Sequence, residues 1–100
     1  MAEFRRASQV PADHPSLPGH FPGKPIVPGV VLLEQVADAA RAWRGSRLRV
    51  AGFPSVKFLS PLQPAEAFEI HLAEDGTQLR FSCTAGAHLL AQGSLTLVEA

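Results

Sequence analysis

PGHFPGKPIVPGVVLLEQV, residues 18–36, sets four prolines and three glycines around one histidine and then runs into an apolar stretch interrupted by a single carboxylate, Glu34. The first half reads as ordered loop, because proline and glycine at this density exclude both helix and ladder. The second half reads as a helix. Val30, Val31, Leu32, Leu33, Val36, Ala37, Ala39, Ala40 and Trp43 leave almost no polar face over residues 30–44. This is the pattern of a helix buried on most sides. Pro28 suits its start, where a missing N–H costs nothing, and Gly45 suits its end.

Outward from this stretch, the chain changes period. Before it, residues 1–29 contain six of the nine prolines, with room for one short strand at residues 4–10. After residue 47 the period falls to two. Phe68, Ile70 and Leu72 alternate with Glu69 and His71, and Leu79, Phe81 and Cys83 alternate with Arg80 and Ser82. Leu95 and Leu97 alternate with Ser94 and Thr96. These are half-buried antiparallel strands. Asp75-Gly76 and Ala85-Gly86-Ala87 supply hairpin turns, and Pro61 and Pro64 make a looser corner after a strand at residues 56–59. A mostly buried helix followed by a run of such strands predicts an α+β arrangement, a sheet curled around the helix. One hundred residues fit one domain, 1–100, and a core this small favours a partner subunit.

Composition narrows the function. Nine basic and nine acidic residues cancel, so there is no overall field to hold nucleic acid or an anionic membrane. The N-terminus has no apolar signal core, and no apolar run is long enough to span a bilayer. Cys83 is alone and excludes an internal disulfide. A cytoplasmic protein is the expectation. Four scattered histidines and one cysteine show no zinc-ligand spacing, so no metal is expected. His71 on an outward strand position and His88 beside a hairpin turn read as surface residues, while His14 in an Asp-His-Pro turn stays open between lining a site and shaping a loop. Arg41, Arg44, Arg47 and Arg49 read first as helix-end and solubility features, with docking of an acidic partner as the alternative.

The string from His20 through Val30, followed by Leu32, Leu33 and Glu34, resembles the active-site segment of the 3-hydroxyacyl-acyl-carrier-protein dehydratases of the FabZ type, with that family's histidine-to-glutamate separation. Lys57-Phe58 before Pro61 and Pro64, and Ala91 to Leu97, are weaker echoes in the same order. In length the chain is similar to the compact dehydratase-like proteins of aryl-polyene and related pigment pathways. The resemblance implies a hotdog fold, a dimer, and a tunnel at the interface to which one chain contributes the histidine and the other the acid. It implies catalytic roles for His20 and Glu34, with Phe21, Pro28, Gly29 and Val30 touching substrate, and it implies an acyl carrier protein as partner.

The chemistry fits these residue types. Dehydration of a 3-hydroxyacyl thioester needs a base at C2, an acid at the C3 hydroxyl and donors for the charge on the thioester oxygen. Imidazole, with an ordinary pKa of about 6.5, accepts a proton near neutrality. A carboxyl group ringed by apolar side chains and a neighbouring subunit's wall is biased toward its protonated, acidic form. The amides of Gly29 and Val30 are unpaired first-turn donors at the positive end of the helix. Asp38, one turn after Glu34, either places its charge beside that glutamate or pairs with Arg41. The rival functions are a hotdog thioesterase and a non-catalytic acyl-binding subunit of a hotdog heterodimer.

Overall fold

The structure is a computed structural model that describes residues 2–11, 13, 26–45 and 47–99. Along the chain come β1 (Glu3–Gln9), α1 (Gly29–Arg44), β2 (Leu48–Phe58), β3 (Ala67–Asp75), β4 (Gln78–Ala85) and β5 (His88–Glu99). The five strands form one antiparallel sheet in the order β1-β3-β4-β5-β2. The α+β expectation holds, and so do the hairpins. β3 and β4 are joined through Gly76 (φ 62), and β4 and β5 through Gly86 (φ 59), left-handed positions that glycine takes without a Cβ clash.

Alternation does what the sequence pattern predicts. Phe68, Ile70, Leu72, Leu79, Phe81, Cys83 and Leu95 are buried and meet Val31, Leu32, Val36, Ala39 and Ala40 of α1 in one core. Each fully buried aliphatic side chain of this kind contributes roughly 1.5–3 kcal/mol. Leu90 and Ala91 are both buried although adjacent. The ladder explains it: Cys83 faces Ala91 while Thr84 faces Leu89, so Leu90 is an extra residue in β5 and turns inward at a bulge.

β2 departs from expectation. It runs over eleven residues rather than 56–59 alone. Gly52 and Pro54 fall in its middle, and its pairing with β5 shifts register between Val50 and Gly52 and again between Gly52 and Ser55. An edge strand tolerates both, because a proline there forfeits no ladder donor and bulges absorb the extra residues.

The helix also departs. Val30, Glu34, Asp38 and Ala42, spaced four apart, form an exposed row along α1. The sheet covers the opposite side, and among the described residues this row is left exposed. Gly45 ends the helix as expected, with φ 121 and its N–H donating to the Arg41 carbonyl at 2.8 Å. At the far side of the sheet, β1 is tied to α1 by Ser8 Oγ donating to Gln35 Oε1 (2.9 Å) and by Phe4 stacked on Trp43, ring centroids 5.7 Å apart.

Cys83 gives the core a pH signature. Burial pushes its thiol up to about 12. A thiol ionises first in the unfolded chain, at about 8.5, so its contribution to stability is complete below that pH and is lost as pH climbs toward the folded value. The expected decline has a slope of up to about 1.4 kcal/mol per pH unit. Urea midpoints measured from pH 8 upward should fall more steeply for the parent than for Cys83→Ala; parallel curves would exclude the effect.

Candidate active site

The start of α1 is built by proline chemistry and by a loop from far along the chain. Pro28 (φ −59, ψ 142) precedes the helix, and its carbonyl accepts from the N–H groups of Val31 (3.0 Å) and Leu32 (3.4 Å). Neither the Gly29 nor the Val30 N–H donates to a backbone carbonyl of the described residues. No acidic side chain occupies the first turn to neutralise the positive end of the sixteen-residue helix. The segment before it is anchored where Val27 N–H donates to the Leu62 carbonyl at 2.8 Å, with both side chains buried. The corner containing Pro61 and Pro64 is in turn held by Ala65 N–H on the Val10 carbonyl at 2.7 Å. Ala65 itself adopts φ 65, a left-handed conformation that is costly for a residue with a Cβ.

Phe58 completes this neighbourhood. A Cβ placed on Gly29 would lie 2.6 Å from Phe58 Cζ and 2.9 Å from its Cε1, so the ring edge rests where any other residue would carry a side chain. Glycine at position 29 therefore serves close approach of an aromatic ring as well as access to the helix-start donors. Phe58 is 53% exposed, and the apolar residues next in sequence to this contact, Val30 (61%) and Leu59 (43%), are exposed as well. Sequence reasoning registered Lys57-Phe58 as a faint echo and missed its position; the signal was a phenylalanine at the end of an edge strand.

Glu34 stands one turn beyond Val30 on the same exposed row. The apolar surround expected for it is not supplied by the described residues of its own chain. Asp38 forms an ion pair with Arg41, three residues on, which is the second of the two readings left open for it. Arg44 pairs with Glu74 and covers the Trp43 ring at 5.1 Å. The hydrogen bond from Arg44 holds the Glu74 carboxyl below the usual carboxylate range. Two of the four arginines in the cluster are thus engaged in ordinary helix-end pairing, while Arg47 and Arg49 are exposed. His88 is exposed, but His71 is half-buried and bonds to Glu3 Oε1 at 2.7 Å, tying β3 to β1. His20, Phe21 and His14 lie outside the described residues.

Among the described residues no three His, Cys, Asp or Glu side chains converge as metal ligands, and no helix is long and apolar enough to cross a membrane. A depression of about 640 Å³ lies elsewhere, bordered by Ser55, Lys57, Arg80 and Gln92. It includes neither Glu34 nor the helix-start donors. The unpaired first-turn donors and Glu34 lie instead at the helix start and along its exposed row.

Comparison with known proteins bears on family and fold. A family model described as ApeI-like, ApeI dehydratase, matches residues 2–94. A 3-hydroxyacyl-acyl-carrier-protein dehydratase FabZ of Rhizobium rhizogenes is 34% identical over 86 residues, covering 76% of this chain and 55% of that protein. The protein of the same name from Chlamydia trachomatis is 30% identical over 103 residues, covering 89% and 67%. The chain thus spans about half to two-thirds of the length of these curated relatives. Among solved structures, the dehydratase heterocomplex ApeI:P from Xenorhabdus doucetiae matches with a TM-score of 0.84 at 24% identity, over 97% of this chain and 88% of that one. The fluoroacetyl-CoA thioesterase FlK matches at 0.66 and 15% identity, over 98% and 86%. These likenesses show the fold, a hotdog, and leave the choice of chemistry to the site.

Proposed function

Because the chain belongs to the ApeI-like dehydratase family, we propose that it removes water from 3-hydroxyacyl thioesters carried on acyl carrier protein, giving trans-2-enoyl thioesters. The observation that carries this reading is the start of α1, where two first-turn N–H groups, a glycine and Glu34 one turn later follow directly on the histidine motif. In the proposed reaction the Gly29 and Val30 amides hold the thioester oxygen as negative charge builds on it. His20 takes the C2 proton, Glu34 gives a proton to the departing C3 hydroxyl, and the electron pair of the broken C–H bond becomes the C2–C3 double bond. No cofactor enters this scheme.

Glu34 lies exposed in the single chain, and β2 is an edge strand with one side unpaired among the described residues. Both features support a site completed by a second hotdog chain, for which we take a second copy, in a cytoplasmic enzyme. Desolvation of Glu34 then comes from the partner's surface.

Purified protein assayed with 3-hydroxyacyl carrier-protein thioesters should produce the ultraviolet absorbance of a conjugated enoyl thioester. Release of free thiol without that absorbance would overturn the proposal in favour of thioester hydrolysis. Binding of the acyl carrier without either product would favour a non-catalytic subunit.

A further inference from the structure

The contact between Phe58 and Gly29 bears on which acyl groups the site accepts, and its interpretation rests on the dehydratase reading. Cα–Cβ bonds in a helix tilt toward its N-terminus, the direction in which the free first-turn N–H groups also point. A ring whose Cζ lies 2.6 Å from the Cβ position of Gly29 is therefore beside those donors. A thioester oxygen hydrogen-bonded to them brings the acyl C2 to within about 5 Å of the helix start, in reach of the same ring.

The backbone beneath the ring has little freedom to retreat. Phe58 pairs with Ala91 in the β2–β5 ladder, and the next two N–H groups, Leu59 (2.8 Å) and Ser60 (3.2 Å), both donate to the Leu90 carbonyl. Phe58 is half exposed, so its contact with the helix start leaves much of the side chain uncovered. An incoming acyl group thus meets a side chain that can rotate on a backbone that is held.

We infer that Phe58 is a specificity-determining residue that selects acyl groups carrying no substituent at C2. A C2 methylene offers one hydrogen to the base and keeps one, and both fit beside the ring edge. A methyl branch at C2 has to displace the ring from Gly29. A single misplaced methyl group in such a setting costs roughly 10- to 200-fold in relative kcat/KM.

The test compares an unbranched 3-hydroxyacyl thioester with its 2-methyl counterpart of equal chain length, supplied as both C2 epimers, for the parent, Phe58→Leu and Phe58→Ala. The parent should prefer the unbranched substrate by about 10-fold or more. Phe58→Ala should reduce that preference by at least about tenfold, with Phe58→Leu between them. An unchanged ratio in the folded alanine variant, or no preference in the parent, overturns the role of Phe58 and leaves the dehydratase reading standing. If the alanine variant does not fold, the ratio in Phe58→Leu decides in the same way. Failure of the parent to dehydrate either substrate overturns the dehydratase reading itself, and this inference with it.

Discussion

His20→Ala should lose about 100- to 10,000-fold in dehydration rate, the usual contribution of a positioned general base, while its unfolding transition stays near that of the parent. The expectation comes from residue chemistry. His20 is the only imidazole within the Pro/Gly stretch that leads into the helix start, and imidazole is the side chain there best suited to accept a proton near neutrality. Rate and stability must separate for the assignment to stand. A variant that loses stability and keeps its turnover per folded molecule would make His20 structural.

The same variant reports on how the site is shared. Glu34→Ala should also be inactive, since Asp38, the next carboxylate along that row, is engaged by Arg41. Under the proposed pairing of one chain's His20 with the other's Glu34, mixed chains that exchange at random give heterodimers with one intact site and one doubly damaged site, and activity should return to about a quarter of the parental level. Mixtures that exchange subunits and remain inactive would rule out a site built from two chains.

Gly93→Ala should be the most destabilising small substitution in the sheet. Gly93 sits in β5 opposite Val56 of β2 and Phe81 of β4. A Cβ there would lie 2.0 Å from the Ser55 carbonyl oxygen, 2.8 Å from its carbon and 3.0 Å from Phe81 Cε1. Two of those atoms are backbone, so the side chain cannot be accommodated by a rotamer change, and β2 must move off β5. Overpacking of this sort costs about 1–3 kcal/mol or more, and for a chain of this size each kcal/mol lowers Tm by about 4–8 °C. Gly52→Ala is the control. Gly52 lies in the same strand pair with open space where its Cβ would go, and its substitution should leave the midpoint nearly unchanged. The two should be compared at several protein concentrations, because pairing with a second chain raises apparent stability by mass action. Equal midpoints for both variants would show that the β2–β5 register relaxes freely.

Features governed by neighbours in sequence were legible before any coordinates. Pro28 and Gly45 bracket the helix because each acts on its own backbone: one lacks an N–H where none is needed, the other takes φ 121. Two-residue alternation placed the inward side chains of β3 and β4 correctly, since the pleat alone sends Ile70 and Leu72 to one face and His71 to the other. The motif from His20 to Glu34 carried the family because its spacing is local. The remaining features depended on contacts between residues far apart in the chain. Gly52 and Pro54 hid most of β2, whose existence depends on the ladder with β5 rather than on propensity. For Glu34 the sequence suggests enclosure by apolar side chains and a neighbouring subunit, but which side of an apolar helix its own chain leaves open depends on where the sheet lies. Asp38 had two partners within reach, and packing left it with Arg41. The ring of Phe58 over Gly29, twenty-nine residues away, had no local signature at all. Composition and short-range geometry thus determined the elements and the chemistry they carry. The approach of strand β2 and its following corner to the start of α1, through Val27 on Leu62 and Phe58 on Gly29, was decided by tertiary packing.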